Sequence, residues 1–424
     1  MLLLLSLVAM FTIGLLGYLL GPLLPALQAS LRLGYTVAGA LFTVQSVGSV
    51  LAVVSGGILA DRYGKKPVLM AGAAMLAVGS LLFSTAHGLW PVLVAAAVLG
   101  IGFGAVDGGT NAALTQAYPE RSGSILNAAH SLFGAGALVG PLVVAALLRE
   151  PGDFRRTFAA ILALPVVLLV WAALTRFPSG PASGRRVDER RIERQAAEGM
   201  VAGKKARRAA TTESAWILLR QPGFAGMALF LFLYVGVEVG VSGWMVTILD
   251  KVHGVPLATG AGLLSLFWLL MTLGRLLAAR IAARSSLSHL LLLGTAGAAL
   301  SVAVAATASA PAAASLALPL TGLFLAPLFP TGLALGARAC PGSPGMANGL
   351  LIGIGTTGGA LLPVLMGAMA QRYGLLFALM GALAGLFGML GLALLAARWE
   401  RQWARQQAQA LGETAHAGAC CGPR

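Results

Sequence analysis

Gly57-Ile58-Leu59-Ala60-Asp61-Arg62-Tyr63-Gly64-Lys65-Lys66 is the stretch on which the fold turns. Four of its ten residues are charged, in a chain of 424 residues of which only 10% are charged. Long apolar runs flank it on both sides. Gly57 permits another helix to approach closely, and Gly64 permits a tight turn. The stretch therefore reads as a short polar turn joining two apolar helices, each long enough to cross a bilayer core.

Working outward, the composition agrees. Hydrophobic residues make up 58% of the chain and glycine alone fills 56 positions. A soluble fold of this length needs roughly 25% charged residues to cover its surface. A soluble enzyme, a disordered chain and a secreted disulfide scaffold are excluded on that ground. The three cysteines, Cys340, Cys420 and Cys421, form no framework of spaced pairs. Cys420-Cys421 is expected to be an inert part of a polar tail.

Twelve apolar stretches can be marked, near 2–28, 36–60, 67–87, 91–113, 123–148, 155–177, 222–249, 256–283, 287–309, 311–336, 345–370 and 374–397. They are numbered here as spans 1 to 12. The Met1–Met10 run has no basic flank and reads as the start of span 1, not as a signal peptide. Between spans 6 and 7 lies a polar, mixed-charge segment, 178–221. The expected organisation is an N-terminal six-helix bundle (1–177), a basic cytoplasmic linker (178–221), a C-terminal six-helix bundle (222–397) and a cytoplasmic tail (398–424).

The net charge of +15 is an orientation signal, not a nucleic-acid signal. If both termini and the linker share a side, 22 of the 29 Lys and Arg fall there and 6 on the other, with Arg275 inside span 8. That bias puts the linker and both ends in the cytoplasm, so the expected location is a bacterial inner membrane. The halves also echo each other. Span 5 has Asn127 with Gly134 seven residues on, and span 11 has Asn348 with Gly355 seven on. A parallel duplication of a six-helix unit produces such a repeat.

The stretch around Asp61 closely resembles the loop motif of the major facilitator superfamily, Gly-x-x-x-Asp-Arg-x-Gly-Arg-Lys, with Lys65 in place of Arg. With the span count, the linker and the duplication, the resemblance covers nearly the whole chain. It implies an all-α integral membrane fold of twelve transmembrane helices in two pseudo-symmetric six-helix bundles, with spans 1, 4, 7 and 10 lining a central cavity. It also implies a conformational gate at Gly57, Asp61, Arg62, Gly64 and Lys65. A carboxylate facing a helix N-terminus is favoured by roughly 0.3–1 kcal/mol, and a contact made in one conformation alone biases the equilibrium between the two.

Ionisable groups inside a membrane are costly and functional by default. Two carboxylates lie well within spans: Asp107 in span 4 and Glu238 in span 7. Asp107 and Asn111 are four apart and share a helix face, as do Tyr234, Glu238 and Ser242. Gln45, Asn127, His130 and Trp244 complete the polar and aromatic set. Asp107-Gly-Gly-Thr-Asn111 resembles the acidic-x-x-x-Asn segment of the fucose–galactose–glucose/proton symporter family. Tyr234-x-Gly236-x-Glu238 resembles its span 7 signature. Span 1, with Tyr18-Leu-Leu-Gly21-Pro22, lacks the second acid of that family. The resemblance assigns proton coupling to Asp107, with Glu238 and His130 as further candidates. Gln45, Asn111, Asn127, Tyr234 and Trp244 are the candidate substrate ligands.

The expected function is proton-coupled uptake of a sugar or similar small polar solute by alternating access. The rival is a proton-driven exporter, kept open by Gly136-Ala-Leu-Val-Gly140-Pro141, which resembles an element of drug antiporters and is equally well explained as helix packing. No ATP-binding loop and no nucleophile–base or metal-ligand cluster can be assembled. No metal and no cofactor are expected; the driving force is a proton gradient, with sodium the alternative ion. The expected partners are a small-molecule substrate and membrane lipid, with no nucleic acid, and the protein is expected to work as a monomer.

Overall fold

The computed structural model describes residues 1–118, 121–175, 218–282, 285–338 and 344–419; within these, the side chains of 54, 57, 58, 60–62, 122–124, 127, 151, 279, 282, 344–346 and 401–419 lie outside the description. The described residues are helical almost throughout, and twelve helical segments are long and apolar enough to span a membrane. The chain is an integral membrane protein.

Nine spans are single helices: Tyr35–Tyr63, Lys65–Ser84, Leu89–Ala117, Ser122–Leu147, Pro222–His253, Leu257–Ala282, Leu287–Thr307, Pro344–Tyr373 and Leu376–Ala419. Three are broken, and proline explains each. Span 1 is Leu2–Gly17 plus Leu20–Leu31, and Pro22 has no N–H to return to the Tyr18 carbonyl. Span 6 is Phe154–Ile161 plus Ala163–Leu174, where Pro165 leaves the Ile161 carbonyl free in the same way. Span 10 is Pro311–Leu325 plus Leu328–Arg338, interrupted at Pro327. The helix of span 12 runs on to Ala419, so the boundary expected after 397 is not a break in the backbone.

Between spans 2 and 3 the chain reverses at Gly64 alone, with φ +92°, a conformation that favours glycine. The lysines that follow tie this turn to its neighbours. Lys65 Nζ donates to Ala112 O at 3.0 Å and Gln116 Oε1 at 2.6 Å, at the end of span 4. Lys66 Nζ donates to Ala173 O at 2.6 Å and Thr175 O at 3.0 Å, at the end of span 6. Both ammonium groups thus satisfy carbonyls at helix C-termini, where the dipole favours a cation.

Close helix contacts repeat in the two halves. A Cβ on Gly136 would strike the Phe11 carbonyl, between spans 5 and 1, and one on Gly358 would strike the Phe232 carbonyl, between spans 11 and 7. Gly136-x-x-x-Gly140 is accounted for by this packing. On the face away from the linker the halves also lock together. Tyr35 N donates to Gln371 Oε1 at 2.7 Å, and the Thr43 hydroxyl donates to the Ala360 carbonyl. Tyr35 meets Trp244 edge-on with ring centres 6.0 Å apart. Towards the linker face, Gly349 and Gly353 of span 11 look into open space. Among the described residues, the halves close on each other at one end, and open space lies beside span 11 at the other.

Candidate functional site

Between the halves lies a cavity of about 170 Å³. Span 1 lines it with Gly17, Tyr18 and Gly21, span 2 with Phe42, Gln45, Ser46 and Ser49, and span 4 with Phe103. From the other half come Val235, Val239, Ser242 and Gly243 of span 7, Leu264 and Trp268 of span 8, and Thr356 and Gly359 of span 11. Both halves therefore contribute to one wall. The volume falls below the roughly 300–1,000 Å³ of drug-sized pockets.

The polar groups are few and partly tethered. Gln45 Nε2 donates to Gly17 O at 3.4 Å. Ser242 Oγ donates to Glu238 O at 2.6 Å, and Thr356 Oγ1 to Ile352 O at 2.8 Å. Their oxygens keep lone pairs for a ligand. The break at Tyr18 aims that ring into the cavity, where it packs on Trp268 with ring centres 4.1 Å apart. The Trp268 indole N–H is buried without a hydrogen-bond partner.

On the N-terminal half, Asn111 Nδ2 donates to Asp107 Oδ1 at 2.9 Å, and Asn111 Oδ1 is buried with no partner. Asp107 is half-buried, and His130 on span 5 lies within its electrostatic reach. On the C-terminal half, Glu238 Oε1 stands 4.0 Å from Arg275 Nη2 of span 8. The Tyr234 hydroxyl is buried and makes no hydrogen bond of good geometry, yet lies within electrostatic reach of both Glu238 and Arg275.

The expected site residues thus divide. Gln45 is in the cavity wall, and Asp107, Asn111 and His130 form one cluster. Tyr234 and Glu238 form another. Trp244, expected to bind substrate, is not in the cavity wall: it is fully buried and donates its indole N–H to Pro363 O at 3.0 Å. That ties span 7 to span 11 at the sealed end. Gly64 and Lys65 make the turn described above. The side chains of Asn127, Gly57, Asp61 and Arg62 lie outside the described residues. Tyr18, and Glu238 as the acid that Arg275 pairs with, were not foreseen. Aromatic rings are common in apolar helices, and only the Pro22 break marks Tyr18 as different.

Residues 6–320 match the model of the Major Facilitator Superfamily. The chain belongs to the major facilitator superfamily. This facilitator is a membrane transporter and not an enzyme. It is 24% identical over 381 residues to Bypass of stop codon protein 6 of Saccharomyces cerevisiae, a match spanning 84% of this chain and 74% of that protein. It is 32% identical over 121 residues to the Multidrug resistance protein MdtG of Serratia proteamaculans, spanning 28% of this chain and 29% of that protein. Among solved structures, the nucleoside transporter NupG superposes with TM-score 0.73 at 14% identity, covering 94% of this chain and 99% of that one. The transporter FucP, in its outward conformation, superposes with TM-score 0.61 at 18% identity, covering 93% and 98%.

Proposed function

We propose that this facilitator takes up a small polar solute, a sugar or a similar molecule, together with protons. The observation that carries the reading is the placement of the two intramembrane acids. Asp107 lies one helical turn beyond the cavity-wall residue Phe103 and Glu238 next to the wall residue Val239, on opposite halves, and each has a polar partner that its own half supplies. A carboxylate in a membrane interior is costly unless it is protonated or paired. A proton on Asp107 removes its charge, so the loaded cleft can close; release on the far side resets it. Asn111 holds the carboxylate in place, and His130 is the nearest group to pass the proton on. The resemblance to the fucose–galactose–glucose/proton symporters supports the same assignment, and the small cavity suits a sugar-sized solute.

The charge asymmetry supports an orientation with the linker and both termini in the cytoplasm of a bacterial inner membrane. In that orientation the cavity faces inward. The two six-helix bundles, 1–177 and 222–397, would then rock about it, in a monomer, driven by an ion gradient without a cofactor.

A second reading, proton-driven efflux of amphipathic compounds, is favoured by the apolar part of the wall, Phe42, Phe103, Leu264 and Trp268, and by the likeness to MdtG. One assay separates the two. Reconstituted protein is given a panel of sugars and lipophilic cations, with and without an imposed pH gradient. Gradient-driven sugar accumulation, abolished by Asp107→Asn while solute exchange persists, supports uptake. Flux of the cations alone supports efflux, and uphill uptake unchanged in Asp107→Asn would sink the assignment of the proton to that residue.

A further inference from the structure

Arg275 is a guanidinium placed inside the membrane with an incomplete partner. It lies seven residues after Trp268, hence two turns along the same helix face, so it stands below the cavity towards the linker. Its side chain keeps 45% of its exposure, against 11% for Glu238. The Glu238 carboxylate is 4.0 Å away, and the described hydrogen bond of the guanidinium goes to Met271 Sδ at 3.5 Å. A closed arginine–carboxylate pair makes two parallel hydrogen bonds at about 2.7–2.9 Å. The fork has five N–H donors, and at 4.0 Å Glu238 closes none of them into a hydrogen bond.

The charge balance decides what the remaining donors face. With Glu238 ionised, the pair is neutral. With Glu238 protonated, Arg275 is a lone cation in a low-dielectric cleft, which is costly. The other titratable groups around Glu238 are Tyr234 on its own span and Tyr18 from span 1. Span 5, which packs on span 8, brings His130, and span 4 brings Asp107. Arg338 and Arg372 sit in the last turns of spans 10 and 11, and Arg398 and Glu400 at the end of the apolar part of span 12, away from the pair. Within the cluster of Glu238, Arg275 and Tyr234, a protonated Glu238 leaves one positive charge for the solute to balance, Asp107 being counted with its own partners on the other half.

We infer that Arg275 anchors the carboxylate of a monoanionic solute, such as a sugar acid or a small hydroxy or keto acid, and that this carboxylate replaces Glu238 as its counter-ion when Glu238 is protonated. The inference rests on the proton-coupled uptake proposed above and names the solute's class. The fork geometry of arginine matches a planar carboxylate. One anion entering as Glu238 takes up a proton leaves this cluster neutral in both states, empty with Glu238 ionised or loaded with Glu238 protonated; the proton on Asp107 is carried separately by the other half. A dianion would leave a net negative charge there, and a neutral sugar a net positive one.

Thermal unfolding of the purified full-length protein tests this. The probes are gluconate, glucuronate, lactate and pyruvate, each beside its amide. At least one acid raises the unfolding midpoint and its amide does not. The rise grows as the pH is lowered from about 8 to about 5, because the competitor Glu238 takes up a proton. Arg275→Gln removes the rise, and Arg275→Lys, which keeps the charge without the fork, weakens binding about tenfold. Glu238→Gln keeps the rise and flattens its pH dependence, a signature that a merely structural pair does not produce. Should Arg275→Gln fail to fold, Arg275→Lys and Glu238→Gln carry the test alone. The inference falls if no acid stabilises more than its amide, if binding survives both Arg275 variants unchanged, or if the pH slope survives Glu238→Gln. The binding assay needs no gradient. Acid binding that persists while a pH gradient drives no uptake refutes proton coupling alone; gradient-driven uptake of neutral sugars without acid binding refutes the carboxylate anchor alone.

Discussion

Gly39 of span 2 offers a direct handle on the sealed end. A Cβ placed there would lie 2.6 Å from the Pro363 carbonyl oxygen and 2.9 Å from Val364 Cα of span 11. Both are backbone atoms of a rigid helix, so a methyl group cannot be accommodated by turning a side chain aside. Overpacking of this kind typically costs about 1–3 kcal/mol. The penalty applies only while spans 2 and 11 touch and vanishes once they part. Alanine also gains on glycine in helix propensity, but span 2 is helical in both states, so that gain cancels. Gly39→Ala should therefore shift the equilibrium away from the sealed state by about 5- to 150-fold.

The shift can be read by thiol labelling in a background in which Cys340, Cys420 and Cys421 are replaced. A single cysteine at Gly353, which looks into open space towards the linker face, should label more slowly from that face in Gly39→Ala. One at Ser46, in the cavity wall, should gain labelling from the opposite face. Gly262→Ala serves as the control, since a Cβ there meets nothing within 4 Å. Equal labelling of Gly39→Ala and its parent, in folded protein, would refute the argument that this contact seals the cavity.

Two further outcomes follow from polar contacts outside the cavity. Lys66→Met removes the ammonium from the Ala173 and Thr175 carbonyls; a loss of about 1 kcal/mol should lower the thermal midpoint by about one degree without changing a solute's affinity, and a change in affinity would argue against a bracing role. Asp153, in the loop before span 6, accepts the backbone N–H groups of Glu150 and Arg149, which hold its carboxyl below the usual carboxylate range, with Arg156 at 3.0 Å adding to this. A lowered native pKa means that its stabilisation is present above about pH 3.9 and is lost as the pH falls through the native value. The thermal midpoint of Asp153→Asn should therefore fall less steeply on acidification than that of the parent, as calorimetry at several acidic pH values would show.

What the sequence made legible depends on whether a feature is local or lies between helices. Span number and the Gly64 turn were legible because length, hydropathy and one glycine decide them within a single window. The Asp107–Asn111 bond was legible because a spacing of four stacks two side chains on any helix. The three broken spans were visible as Pro22, Pro165 and Pro327, yet an average over about twenty apolar residues hides them, and with them the reason Tyr18 enters the cavity. Facing was not legible at all. These helices are apolar on every side, so no polar stripe marks the inward face. Trp244 and Trp268 therefore read alike, although one binds the Pro363 carbonyl at the sealed end and the other lines the cavity.

The same gap hid the partner of Glu238. Read alone, span 7 offers an acid with a tyrosine and a serine on its face, which is equally a proton site or a hydrogen-bonded brace. Arg275 read alone is a base that could reach the membrane surface along its own helix. Only the packing of spans 7 and 8 brings them to 4.0 Å, and the distance itself argues against a simple brace. A pair kept for structure gains most from two short parallel hydrogen bonds, since partial closure leaves both ions poorly compensated. An open pair beside a cavity suits a site where one partner is exchanged during the cycle, and it is the looseness of this contact, more than its existence, that distinguishes the two roles.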